Sequence, residues 1–194
     1  MGPLLVMTLQ VLFLALPLLI TALAHGLLIK YDLLASLKRP LDLGLTLRNR
    51  RVFGDNKTVR GLLTHVIFCC LGTLIQAQLQ EGGSIPPWVY LADYERHWFM
   101  IGILMGLGMT LGELPNSFAK RQLDIPPGEK ARGVSGILFF VLDQVDLTIG
   151  IWAFLYVPLR PSVPLILWSL LLTLVLHMGV SATGYVLRMR KTVV

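Results

Sequence analysis

Charge is what this sequence has least of. Only 14% of its 194 residues are Asp, Glu, Lys or Arg, against about 25% in an ordinary soluble domain. Hydrophobic residues make up 55% and the mean hydropathy is +0.70. A disordered chain and a soluble globular domain are both excluded on these figures. Cysteine is nearly absent: Cys69 and Cys70 are the two, adjacent in sequence, so no disulfide framework or thiolate metal site is available. The histidines His25, His65, His97 and His177 are scattered and form no metal motif, which leaves His25 and His177 free to face a polar cavity. Walker A, G-x-G-x-x-G and G-x-S-x-G patterns are all missing, which removes the common soluble nucleotide and hydrolase sites. No Lys or Arg precedes Lys30, so the first apolar run lacks the basic leader of a signal peptide and reads as a retained span.

What is present is a series of long apolar runs. A helix needs about 20 mostly apolar residues to cross a hydrocarbon core of about 30 Å. Five stretches qualify, at about 3–29, 61–79, 98–114, 136–157 and 163–187, the third ending against Pro115. The expected fold is all-α, a polytopic integral membrane protein with about five transmembrane helices in one domain over 1–194. The 17 cations orient it. Segment 30–60 holds eight, 115–135 four and the tail three, while the alternate segments hold only Arg96 and Arg160. The positive-inside rule then places the N-terminus outside, and both long loops and the C-terminus in the cytoplasm. Trp88, Tyr90, Trp98 and Tyr156 fall near the outer ends, as interfacial aromatics do. The basic loops have no zinc pattern and no aromatic reading platform, so nucleic acid is not an expected partner. The pairs Gly102/Gly106 and Gly108/Gly112, and Gly179, Ser181, Ala182 and Gly184 further on, read as close-packing surfaces between helices.

Ionisable groups at membrane depth are costly, which singles out Glu113, Asp143 and Asp146. The two aspartates are three apart and share one helix face. Oxygen-only ligands suit Mg²⁺, which is usually shared between one or two carboxylates and substrate phosphates. A solvated pair at a mobile helix end remains the alternative. Segment 53–61, Phe-Gly-Asp-Asn-Lys-Thr-Val-Arg-Gly, combines turn formers with phosphate donors. Asp55 and Asn56 favour the turn, and Lys57, Thr58 and Arg60 supply donors. On a helix, Ser117, Lys120 and Arg121 lie on one side. Acids for a cation beside bases for phosphates suit phosphoryl or nucleotidyl transfer, in which positioning and charge neutralisation dominate.

These residues resemble a known family. Segment 39–61 is similar to the first cytoplasmic loop of CDP-archaeol synthases, with its "G-D-x-K-T-x-R-G" element standing here as Gly54, Asp55, Lys57, Thr58, Arg60 and Gly61. A second set follows in order: Gly112-Glu113, Ser117-Phe118, Lys120-Arg121, Pro127-Gly128-Glu129, and Leu142-Asp143-Gln144-Val145-Asp146. The resemblance implies a five-span enzyme related to the CDP-diacylglycerol synthases. Its implied reaction is attack of a membrane lipid phosphate on CTP, giving a CDP-lipid and pyrophosphate. It further implies Mg²⁺ held by Glu113, Asp143 and Asp146, with Lys120 and Arg121 acting with the aspartates in catalysis. Asp55, Asn56, Lys57, Thr58, Arg60 and Ser117 would bind substrate. The partners would be CTP, a lipid phosphate and surrounding membrane lipids, with a homodimer left open, and the site would face the cytoplasm from the cell membrane. Two departures stand out. Glu113 replaces the family's usual Asp, and an apolar run over 134–141 replaces a shorter proline-containing link. Whether that run is re-entrant or interfacial, or enters the fourth span, is left open by the sequence. A noncatalytic lipid-binding or scaffold protein on the same fold is the rival reading.

Overall fold

The computed structural model describes residues 2–127, 129 and 133–186, the side chains of 133–134 and 179–186 excepted. The expectations for Gly128, Lys130, Arg132, Arg188, Arg190 and Lys191, and for packing at Gly179, Ser181, Ala182 and Gly184, lie outside the described residues. Five long helices carry the fold: α1 (Pro3–Lys30), α2 (Val59–Glu81), α3 (Tyr94–Gly112), α5 (Gly133–Leu159) and α6 (Val163–Val186). A short α4 (Leu114–Gln122) follows α3. Four stretches, Pro3–Lys30, Val59–Glu81, Pro87–Gln122 and Ser135–Leu159, are long and apolar enough to cross a membrane, and α6 adds the shorter apolar stretch Val163–Met178. The chain is an all-α integral membrane protein. Consecutive long helices pack side by side, α1 on α2, α2 on α3, α3 on α5 and α5 on α6, and α6 returns to α1. Leucines such as Leu19, Leu23, Leu167 and Leu171 remain exposed on the outer faces, as they must where the solvent is lipid.

Backbone groups inside a bilayer have no water to bond, so each needs an internal partner. Pro17 of α1 has no N–H and leaves the Phe13 carbonyl without its helical donor. Gln76 of α2, fully buried, supplies one through Nε2 at 2.5 Å. Thr21 bonds the Pro17 carbonyl at 2.7 Å. Similar polar ties join other helices: Trp152 Nε1 donates to Ser169 Oγ at 2.6 Å between α5 and α6, and Trp168 Nε1 to Thr8 Oγ1 at 2.9 Å between α6 and α1.

The glycines set the helix spacing. A Cβ on Gly102 would lie 2.5 Å from the Cys70 Cα of α2. A Cβ on Gly112 would lie 2.6 Å from the Gly150 Cα and 2.8 Å from the Asp146 carbonyl of α5. The first glycine pair therefore seats α2, and the second seats α5 and brings Asp146 beside the end of α3. Gly150→Val is expected to destabilise the fold by about 1–3 kcal/mol through overpacking and to lower activity by parting α3 from α5. Thermal unfolding in detergent and an activity assay of the same preparation check this together.

The helices decide two open points. The run 134–142 is not re-entrant: α5 is one continuous helix of 27 residues from Gly133, with Asp143 and Asp146 within it. No proline interrupts 134–142, and although Ser135-Gly136 is a turn-forming pair, a helix satisfies the backbone where a re-entrant segment would not. Asp143 therefore lies about 15 Å along α5, at 1.5 Å per residue. The third span does not simply stop at Pro115. The helix turns at Glu113, and Pro115 sits in the first turn of α4, where its missing N–H costs nothing. The start of the second basic segment, with Lys120 and Arg121, is thus helical. In the first, residues 46–51 form a hairpin, β1 (Thr46–Leu47) against β2 (Arg50–Arg51), turned by Arg48 and Asn49 at φ of +52° and +61°.

Candidate active site

The hairpin, the 53–58 loop, α4 and the first half of α5 meet at one end of the bundle. Asp42 organises the loop. Its buried carboxylate accepts from the backbone N–H of Gly44 at 3.1 Å, Phe53 at 2.9 Å and Gly54 at 3.0 Å, and from Arg51 Nη2 at 2.7 Å. Burial opposes its ionisation, but the Arg51 guanidinium and the three N–H donors prevail and hold its carboxyl well below the usual carboxylate range. Gly54 adopts φ +89°, and a Cβ there would stand 3.2 Å from Pro127 Cγ and 3.4 Å from Arg121 Nε. Only glycine fits both the turn and the close approach of α4. Arg50 binds the Gln122 carbonyl and Asp124, which ties the hairpin to α4.

The chain then reaches a cavity of about 270 Å³ whose walls carry Lys57, Glu113, Ser117, Lys120, Arg121, Asp143 and Asp146. Phe53, Asn56, Asn116 and Pro127 complete it. Asn116 is the hub: its Nδ2 donates to Asp143 Oδ1 at 2.6 Å and to Asp146 Oδ2 at 2.8 Å. Lys120 Nζ bonds Asp143 Oδ2 at 2.6 Å and lies 5.6 Å from the centre of the Phe139 ring. Lys57 and Glu113 form an ion pair across the cavity. Behind that pair is a smaller cavity of about 150 Å³, which shares Asn56, Lys57 and Glu113 with the first.

Most of the residues expected at the site converge here, and two do not. Asp55 is exposed and pairs with Arg51 at 2.8 Å. Arg60 is buried and holds the end of α1 through Asp32 Oδ1 at 3.2 Å and the Leu33 carbonyl at 2.9 Å. Neither lines either of these two cavities. Thr58 caps α2 by accepting from the Gly61 N–H at 3.2 Å, and it faces the smaller cavity. Sequence reasoning gave no role to Asn116 or Asp42, although both lie within the matched segments; the signal available was a polar residue three after Glu113, and an acid two before Gly44.

The wall of the larger cavity is rich in oxygen donors. Among the described residues no three His, Cys, Asp or Glu converge as a closed metal cluster. Asp143 and Asp146 nevertheless share one amide, and Asn116 Oδ1 is buried without a partner. Two carboxylates and an amide oxygen, open on one side, fit Mg²⁺ completed by substrate phosphates.

The family model described as CarS-like, CDP-archaeol synthase, matches residues 4–194. The chain belongs to the CDP-archaeol synthase family. Among curated relatives, the CDP-archaeol synthase of Pyrococcus furiosus is 35% identical over 75% of this chain and 78% of its own. That of Methanoculleus marisnigri is 33% identical over 75% and 84%, and that of Methanospirillum hungatei 30% over 78% and 87%. A solved structure described as an intramembrane enzyme for archaeal membrane lipids biosynthesis superposes with a TM-score of 0.62 at 24% identity, covering 88% of this chain and 91% of that one. This last likeness concerns the fold. The CDP-archaeol synthase relatives are lipid-synthesising enzymes by name.

Proposed function

We propose that this chain is a CTP-dependent cytidylyltransferase that converts a membrane lipid phosphate to a CDP-lipid and releases pyrophosphate. The observation that carries the proposal is the cavity itself, in which Asp143 and Asp146 on one amide face Lys57, Lys120 and Arg121. An oxygen of the lipid phosphate forms a bond to the α-phosphorus of CTP. The bond from that phosphorus to the oxygen bridging to the β-phosphate breaks, and its electron pair leaves with pyrophosphate. Two phosphate anions must approach one another, so the dominant barrier is charge repulsion. Lys57, Lys120 and Arg121 offset it as fixed cations in a partly water-excluded site. Lys120 trades its bond to Asp143 for a nucleotide oxygen, and Ser117 donates alongside. Asp143 and Asp146, with Glu113, would hold Mg²⁺, and Lys57 is free to bind phosphate once it leaves Glu113. When bound, the ion draws charge from the triphosphate. Asp55 and Arg60 act from outside the cavity, shaping the loop and fixing the start of α2.

The basic loops lie at the same end as the cavity, so the positive-inside rule turns this end to the cytoplasm. The cell membrane supplies the lipid laterally. Purified protein given labelled CTP, Mg²⁺ and a panel of lipid phosphates (isoprenoid dialkylglycerol, diacylglycerol and polyprenyl) is expected to yield a CDP-lipid and pyrophosphate from at least one. Magnesium removal by chelation should abolish the product. Absence of label in every lipid, with the protein folded and Mg²⁺ present, would favour the noncatalytic scaffold.

A further inference from the structure

The smaller cavity is a site with its own chemistry. It lies between α1, α2 and the end of α3, and its distinctive walls are His25, Thr58, His65 and Thr110. The two histidine rings stand 5.1 Å apart, centre to centre. His65 Nδ1 is bonded to Thr110 Oγ1 at 2.9 Å, whereas His25 Nδ1 is buried with no partner among the described residues. A buried ring nitrogen left unpaired is costly unless something else occupies the space. An ordered water needs only about 10–15 Å³ of such space, so about 150 Å³ admits a much larger polar group. The charges favour an anion: Lys57 lies on the wall, and the start of α2, capped by Thr58, presents its positive end there. The carboxylate in the lining is Glu113, which is ion-paired to Lys57, so the anion takes its place on that cation.

We propose that this cavity is the headgroup subsite of the acceptor, a lipid phosphate monoester, with His25 and His65 as its hydrogen-bonding residues. The inference rests on the cytidylyl-transfer reading and locates its second substrate. The nucleotide belongs on the other side of the Lys57–Glu113 pair, because the cation-binding carboxylates Asp143 and Asp146 line only the larger cavity, as does Phe53, whose ring offers a face to a base. Lys57 borders both cavities. Among the described residues it is therefore the cation placed to neutralise both phosphates as the acceptor oxygen bonds the α-phosphorus and pyrophosphate departs. No proton needs to move in that step, so the histidines bind and orient rather than act as bases.

The test uses the full-length protein in nanodiscs, with His25→Phe and His65→Phe to fill the cavity and His25→Gln and His65→Gln to retain an N–H donor. In turnover, the phenylalanine variants should raise KM for the lipid phosphate about tenfold or more, the usual scale of a lost hydrogen bond to a charged group, and leave KM for CTP within about twofold. The glutamine variants should recover part of the loss. A rise in KM for CTP, or altered discrimination between CTP and UTP, would assign the cavity to the nucleotide and overturn the proposal. A binding arm is independent of turnover: thermal stabilisation by a short-chain dialkylglycerol phosphate is compared with that by the matched alcohol and by inorganic phosphate. Stabilisation by the lipid phosphate alone, lost in His25→Phe, supports the subsite even if no CDP-lipid forms, in which case the transfer reading fails and the subsite stands. Equal stabilisation by the alcohol, or by inorganic phosphate, would reject a lipid headgroup there.

Discussion

Asp143→Asn and Asp146→Asn, each in the full-length chain, are expected to lower CDP-lipid formation by at least about 100-fold, on the scale of losing one preorganised charge-stabilising contact in a closed site. The substitutions are nearly isosteric. Asn116 can still donate to the amide oxygen that replaces Asp143 Oδ1 or Asp146 Oδ2, so α4 stays docked on α5 and folding should survive. What is lost is one negative charge of the pair facing the nucleotide, and with it the affinity for a divalent cation. Rates are to be measured with labelled CTP across a Mg²⁺ titration, with thermal melting of each variant alongside. The expected signature is a higher Mg²⁺ requirement at unchanged melting temperature. Full activity in a folded variant would show that the aspartates do not hold the metal.

The fate of these two residues shows what a sequence can disclose. A spacing of three places both carboxylates on one face of any helix, so their partnership was legible before the structure. Helix periodicity likewise exposed the glycine pairs, and each seats a different neighbour, α2 at Gly102 and α5 at Gly112. The five apolar runs correspond to the five long helices, four of them within stretches long and apolar enough to cross a membrane. Side-chain direction in irregular backbone follows no period, and there the reading was incomplete. Asp55 and Arg60 sit inside the loop motif, yet one turns out to Arg51 and the other back to α1. Asn116 could not be recognised as the link between the aspartates, because its partners are 27 and 30 residues away. The apolar run before Asp143 stayed open for a different reason. Its Ser135-Gly136 pair favours a turn and its apolar residues favour a span, and hydrogen bonding in the bilayer decides in favour of continuation.

Asp42 illustrates the same limit and leads to the second large effect. It lies 15 residues before Lys57 in sequence, outside both cavities, and yet it fixes the loop that delivers Lys57. Asp42→Ala removes the acceptor for three backbone N–H groups and leaves Arg51 paired only with exposed Asp55. Unmade bonds of this kind cost about 1–3 kcal/mol each where the donors stay buried, so the loop is expected to abandon its turn rather than keep it. The consequence is a loss of order at Gly54, Asn56 and Lys57, seen as a rise in KM for CTP of about 100-fold or more, while the transmembrane helices melt nearly as before. Asp42→Asn is the discriminating control, since it preserves shape and one acceptor oxygen but loses the charge on Arg51; an intermediate effect is expected. The sign of the pH dependence follows from the depressed carboxyl. Its stabilisation of the loop is fully present above the unfolded carboxylate range, near pH 4, and fades only as the pH falls toward the lower folded value. Any loss of CTP binding between pH 8 and 5 therefore cannot come from this group. Hydrogen exchange of the Phe53 and Gly54 amides in wild type and variant measures the anchor directly, and unchanged protection in Asp42→Ala would mean that something other than this carboxylate holds the loop.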